Sequence, residues 1–200
     1  MDIHKHDNSG SQDGVNALNM VNVHQKMFYK TAWDIDKWNF APEVREQAEA
    51  DMAKGLSKEA LIEKYGAESY LGNSHIDGNL LLNAGINVLT NLLAGGGNTA
   101  FNNANARIGV GDSTTAEAAS QTGLQAATNK TYQAMDASYP TYGTSQQIVF
   151  RATFGGSSAN YHWQEFTVDN GTTSLNRKVS DQGTKTSGQS WQVTITITFS

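Results

Sequence analysis

The residues able to do chemistry in this chain are few, and their spacing sets what they could do. His4, His6 and Asp7 form the densest group of metal-ligating types. On an extended segment both imidazoles would point the same way and could share an ion. A site also needs a third ligand and groups that orient the first ones. His24 and His75 are the remaining histidines in that half of the chain, and two histidines on a polar terminus do not make a site. With no cysteine, disulfides and thiolate metal sites are excluded. Gly109-Val-Gly111 follows a strand-like run, as the start of a dinucleotide fingerprint would, but Thr114 stands where the third glycine belongs and no βαβ pattern follows. It reads as a tight bend. There is no Gly-x-Ser-x-Gly elbow for a nucleophile. His162 lies in a strand-like run beside aromatics, which is the setting of a packed or hydrogen-bonded histidine. Glu165 is the one acid within a strand of the second half; a glycosidase would need a second carboxylate opposite it, whereas Arg151 or Arg177 could pair it across a sheet. Asn129-Lys-Thr131 and Asn170-Gly-Thr172 match the glycosylation pattern, with no secretion signal beside them. The expectation is a protein that is not an enzyme, with no catalytic residue, no cofactor and no metal.

The elements that would position such residues are easier to read. In the run Trp191 to Phe199, Trp191, Val193, Ile195, Ile197 and Phe199 alternate with Gln192, Thr194, Thr196 and Thr198. A period of two puts all the apolar side chains on one face, so this is a half-buried antiparallel strand in need of partners. The partners are predicted at 107–110, 128–135, 146–154, 161–168 and 175–179. Tyr161 to Val168 carries apolar residues on both faces, as a strand covered on two sides would. Asn170-Gly171 predicts a type I′ hairpin turn. Strands at this spacing indicate a sandwich or barrel-like domain.

The first half reads differently. Pro42 and the glutamates at 43, 46 and 49 open a helix with Val44, Ala48 and Met52 on one stripe, ended by Gly55. Ser57 caps a second helix carrying Leu61, Ile62 and Tyr65, with Leu56 and Leu61 as a staple and Gly66 as the stop. A third, at 79–94, has Leu82, Ile86, Leu89 and Leu93 at helical spacing, widened by Leu81, Val88 and Leu92. This is the helix apolar enough to join a core. Residues 1–40 show no sustained period. Met1 to Asn19 is polar, yet Phe28, Tyr29, Trp33, Trp38 and Phe40 follow, and each large aromatic buries on the order of 150–250 Å² when covered. They either pack on this chain's own helices or form an extended arm that docks on a neighbouring subunit. As the arm, these five are the candidate protein-interaction residues. The fold class expected is α+β: a mainly antiparallel β-sandwich or barrel-like domain over 78–200, led by one core helix, with an arm and short helices over 1–77 as an anchoring region.

Composition narrows the partners. The net charge is −5, with 8 basic and 13 acidic residues in 1–100 and 6 of each in 101–200. No basic cluster suits a phosphate backbone, so direct nucleic-acid binding is not expected. No run reaches transmembrane length and no signal-peptide core is visible. A protein made and kept in a cytoplasm, or assembled there, is expected.

The segment Ile108-Gly-Val-Gly-Asp-Ser-Thr-Thr-Ala-Glu-Ala-Ala-Ser-Gln-Thr-Gly-Leu124 resembles a recurring stretch of tailed-bacteriophage structural proteins, in which a helix like Asn83 to Leu93 leads into a strand and then a loop of this type. Val149 to Phe154, Trp163 to Phe166, Leu175 to Val179 and Gly183 to Gly188 are similar to later pieces of that group, so the likeness spans roughly residues 78–200. The resemblance implies a β-rich, non-enzymatic virion module, a capsid decoration, cement or minor capsid protein. Its partners would be other virion proteins, major capsid or tail proteins, in a homo-oligomer located in the virion and made in the host cytoplasm. A tail, neck or fibre component is the alternative within that class. A receptor- or carbohydrate-binding module using Tyr139, Tyr142, Tyr161 or Trp163 is a second class.

Overall fold

The structure, a computed structural model, describes residues 29–200. Two five-stranded antiparallel sheets pack face to face around one core, with three helices: an α+β protein built on a β-sandwich. In chain order the elements are β1 (Tyr29–Trp38), α1 (Arg45–Lys54), α2 (Lys58–Tyr65), β2 (Tyr70–Asp77), β3 (Leu80–Leu81), α3 (Asn83–Leu93), β4 (Arg107–Gly111), β5 (Lys130–Ala134), β6 (Thr141–Thr144), β7 (Gln147–Phe154), β8 (His162–Asp169), β9 (Asn176–Thr184) and β10 (Ser190–Phe199).

The first sheet has the order β2-β1-β10-β7-β6 and the second β3-β9-β8-β4-β5. The alternation in β10 does what its pattern demands: Trp191, Val193, Ile195 and Ile197 are buried between the sheets. Its neighbour β1 was not legible as a strand, yet it pairs with β10 over all ten residues, from Tyr29↔Phe199 to Trp38↔Ser190. Thr31, Trp33 and Ile35 send their side chains inward, and Asp34 and Asp36 lie on the other face. A boundary at residue 77 therefore does not separate two units: β1 and β2 belong to the sheet completed by β10 and β7, since Trp33 and Ile35 can be covered only by the opposite sheet.

Trp38 and Phe40 serve a second, smaller cluster on the outer side of that sheet. Trp38 stacks on Phe40 with ring centroids 5.3 Å apart, and both meet Ala48 and Met52 of α1 and Leu61 of α2. The helix ends follow the sequence signals. Gly55 closes α1 at φ 99°, and Ser57 Oγ accepts the Ala60 N–H at 3.2 Å to open α2.

Three expectations need correction in detail. In α3 the leucine-isoleucine stripe is buried only in part: Leu82 and Val88 are buried and Leu81, Leu89 and Leu92 pack on the core, but Ile86 is 40% and Leu93 90% exposed, and Gly85 is buried instead. Gly85 is the reason. A Cβ there would lie 2.5 Å from the Leu175 carbonyl oxygen, so the glycine lets the helix backbone meet the β8–β9 connection and turns the 85–88–92 line inward. The turn between β8 and β9 is not type I′, which needs two left-handed residues; Gly171 alone has positive φ, 88°, and Asn170 Oδ1 instead accepts the N–H groups of Thr172 and Thr173. In β8, Trp163 and Phe166 both reach the core despite their odd spacing, because the β8–β9 register shifts between Trp163 and Glu165.

Candidate functional site

The four described residues among the proposed interaction residues do not form one surface. Trp33, Trp38 and Phe40 are buried in this chain's own core, held by the opposite sheet and by α1 and α2, so they offer nothing to a neighbour. Tyr29 is 36% exposed. Phe28, with His4, His6, Asp7 and His24, lies outside the described residues.

The polar groups with catalytic or ligating types are mostly consumed in holding loops. Glu165 is fully buried and ion-paired with the equally buried Arg177, whose Nε donates to Oε2 at 2.9 Å. The same carboxylate accepts the N–H groups of Gln125 at 2.8 Å and Ala126 at 2.7 Å. Arg177 Nη1 reaches Gln121 Oε1 at 3.0 Å, and Val179 N–H donates to the Glu117 carboxylate. The long segment between β4 and β5 is thus stapled across the second sheet rather than left as a solvated loop. Asp136 is similarly enclosed: its Oδ2 accepts from Arg151 Nε at 3.1 Å, Thr153 Oγ1 at 3.0 Å and Gln192 Nε2 at 2.9 Å. Burial pushes its carboxyl up, against the pull of the Arg151 guanidinium. Lys185 is buried without a paired carboxylate. Its Nζ donates to the carbonyls of Gly155 at 2.7 Å and Ser158 at 2.8 Å and to Asn160 Oδ1 at 2.9 Å, and burial draws its ammonium down to about 8.

Two histidine clusters lie on the surface. His162 Nε2 is 2.6 Å from Asp181 Oδ1 and its Nδ1 is 3.2 Å from Thr184 Oγ1, an arrangement with the outline of a hydroxyl–imidazole–carboxylate triad. All three groups are open to water, and the hydroxyl stands on the last residue of β9, with no enclosed pocket around it among the described residues, so nothing desolvates an attack. His75 bridges Asp34 at 2.8 Å and Asp77 at 3.3 Å, and the Asp34 hydrogen bond raises its pKa. Among the described residues no group of three His, Cys, Asp or Glu side chains is placed to hold a metal ion.

What is left over is apolar. Tyr29, Leu81, Ile86, Leu89, Leu93 and Phe199 line a groove of about 240 Å³ between α3 and the paired ends of β1 and β10. Leu81, Leu89 and Phe199 also pack against the main core, so the groove is the open continuation of that core. Three of the five large apolar side chains exposed among the described residues, Tyr29, Ile86 and Leu93, stand at it. Sequence reasoning missed the groove because it placed Ile86 and Leu93 on the buried face of their helix. The signal was Gly85, a glycine inside a helical stripe.

The aromatics proposed for sugar stacking are divided too. Trp163 is buried in the core, and Tyr161 donates its hydroxyl to the Val110 carbonyl at 3.0 Å. Tyr142 is 75% exposed, and with Tyr139, Asn102 and Asn103 it borders a shallow cleft of about 410 Å³. Comparison with protein-family models, with curated proteins and with solved structures finds no match to this chain.

Proposed function

We propose that this protein is a structural, non-enzymatic subunit of a tailed-bacteriophage virion, a capsid decoration or minor capsid component that binds neighbouring virion subunits. One observation carries the reading. The separated pieces on which the resemblance rests are joined in space into one unit. Asn83 N–H donates to Ala119 O at 2.9 Å, and Leu82 N–H to Leu175 O at 3.0 Å. Glu165 and Arg177 then tie β8 and β9 to the Gly111-to-Leu124 loop and the residues just after it. A loop held by buried charges is a rigid feature, and rigidity is what a building block of a symmetric shell requires. The sequestered state of Glu165, Asp136 and Lys185 accords with scaffold rather than chemistry.

Immunogold labelling of purified particles with antibody to the chain is the test. Label over the head agrees with a capsid component, and label on the tail, neck or fibres selects the alternative within the class. Particles without label overturn the reading. A second reading, a carbohydrate-binding module, is favoured by Tyr142 beside the Asn102–Asn103 cleft. Saturable binding on a glycan array, lost in Tyr142→Ala, would select it.

A further inference from the structure

The cleft beside Tyr142 is bordered by Asn102, Asn103, Ser138 and Tyr139. We infer that it takes a neutral pyranose, with the C–H face of the sugar on the Tyr142 ring and neighbouring hydroxyls on the Asn102 and Asn103 amides. This rests on the carbohydrate-binding reading of the same cleft and names its class of ligand.

Both amides are already oriented. Asn103 Nδ2 donates its two hydrogens to the Asp136 carbonyl at 3.1 Å and the Tyr139 carbonyl at 2.6 Å, which leaves Oδ1 as an acceptor. Asn102 Oδ1 accepts the Asn105 N–H at 3.1 Å, which leaves Nδ2 as a donor. Among the described residues neither Asn103 Oδ1 nor Asn102 Nδ2 has a partner, and both side chains stand in solvent. An acceptor and a donor on adjacent residues suit neighbouring hydroxyls, since each hydroxyl gives and receives a bond.

Charge narrows the class. No acidic or basic side chain borders the cleft. The Arg151 guanidinium, 4.2 Å from the Tyr139 ring centre, is engaged by that ring and by Asp136 at 3.1 Å. A carboxylated or sulfated sugar would therefore meet no cation at the border, and an amino sugar no carboxylate. At about 410 Å³ the cleft lies within the roughly 300–1,000 Å³ of small-molecule sites. The backbone adds an independent sign. Four described non-glycine residues have positive φ, and three of them, Ser138 at 66° and Ser145 and Gln146 at 53°, flank the two tyrosines. Strained backbone of this kind gathers at ligand clamps, and here it presents Tyr142 75% exposed. A ring held in place by its own hairpin has less freedom to lose when a sugar stacks on it.

Saturation-transfer NMR on the full chain tests this, with the methyl glycosides of glucose, galactose and mannose as neutral probes and glucuronic and N-acetylneuraminic acids as acidic ones. Transfer is expected to a neutral glycoside and not to the acids. Tyr142→Ala, at a residue exposed enough to leave folding intact, should weaken that binding about tenfold or more, as loss of an aromatic anchor does, and Tyr142→Phe should keep it. Asn102→Asp retains the acceptor for the Asn105 N–H and replaces the free donor by an acceptor, so it should weaken binding several-fold. Transfer to the acids alone, or transfer that survives Tyr142→Ala unchanged, would overturn the inference and leave carbohydrate binding standing. No transfer to any of the five sugars would also overturn it, and an empty glycan array would remove the underlying reading as well.

Discussion

Glu165 of β8 and Arg177 of β9 face each other with no solvent exposure on either side chain, Nε to Oε2 at 2.9 Å, and the same carboxylate oxygen receives the Gln125 N–H. One buried ion pair therefore fixes both a strand pair and the loop laid over it. Breaking such a pair from one side leaves a charge with no compensation, at a cost of about 3–5 kcal/mol. Glu165→Gln is expected to lose that order of stability in urea denaturation and to expose the 112–129 segment to protease. Stability within about 1 kcal/mol of the parent would show the pair to be dispensable.

Gly85 is expected to be intolerant for a steric reason. In Gly85→Ala the new methyl would meet the Leu175 main chain, with three backbone atoms within 2.8 Å, and backbone cannot swing aside as a side chain can. Overpacking of this kind costs about 1–3 kcal/mol, and it should push α3 away from β9. A thermal melt reads the first effect. Higher helix propensity of alanine works in the other direction by about 1 kcal/mol, so an unchanged or raised Tm would refute the close approach.

Trp33 and Trp38 test where the aromatics of the first strand belong. Both are buried, Trp33 among core aromatics with Phe166 at 5.7 Å and Trp38 beneath α1 and α2. Substitution by alanine is expected to cost about 3–5 kcal/mol at each. If Trp38→Ala left the unfolding midpoint unchanged, the outer cluster would not be part of the stable fold.

His75 should titrate above its ordinary value. The Asp34 carboxylate at 2.8 Å, aided by Asp77, favours the imidazolium in the folded chain. A folded pKa raised above the unfolded one means that the contribution is fully present below about pH 6.5 and is lost as pH rises through the folded value. NMR titration of the imidazole is expected to give a raised midpoint, returning toward 6.5 in Asp34→Asn. The pair is exposed, so the stability effect should be small.

Removing Lys185 should hurt through its acceptors rather than its charge. Lys185→Met would leave the Ser158 carbonyl and the Asn160 amide oxygen without their buried donor, while the Gly155 carbonyl would keep the Ser158 N–H. Each unsatisfied group costs about 1–3 kcal/mol. Chemical denaturation is expected to show a loss of at least that size, and a gain in stability would mean that burial of the ammonium outweighs its bonds.

The two sequence patterns that carried most were the alternation of β10 and the capped helices α1 and α2, because each is written in local residue types. What escaped was whatever depended on distant partners. The run Thr31-Ala-Trp-Asp-Ile35 alternates for only five residues, and Trp38, three residues after it, packs on the opposite face under the helices. The β6–β7 hairpin escaped because its turn places Ser145 and Gln146 at φ 53° each, positions where Asn or Gly would have given a signal. The loop after β4 looked free because its staples, Glu165 and Arg177, come 39 to 56 residues after the groups they hold. Ile86 and Leu93 of α3 were misplaced because periodicity counts side chains and does not see a backbone contact through Gly85.

The β1–β10 pairing has a consequence for synthesis. Residues 29–38 leave the ribosome long before 190–199, and until the latter appear the first sheet lacks its central strand. At the usual rate of roughly 5–20 residues per second, Trp33 and Ile35 wait on the order of ten seconds or more for the strand that completes their sheet. For that interval the nascent chain carries an unpaired, aromatic-bearing edge, which makes it a natural client for a chaperone and ties its yield to the speed of translation.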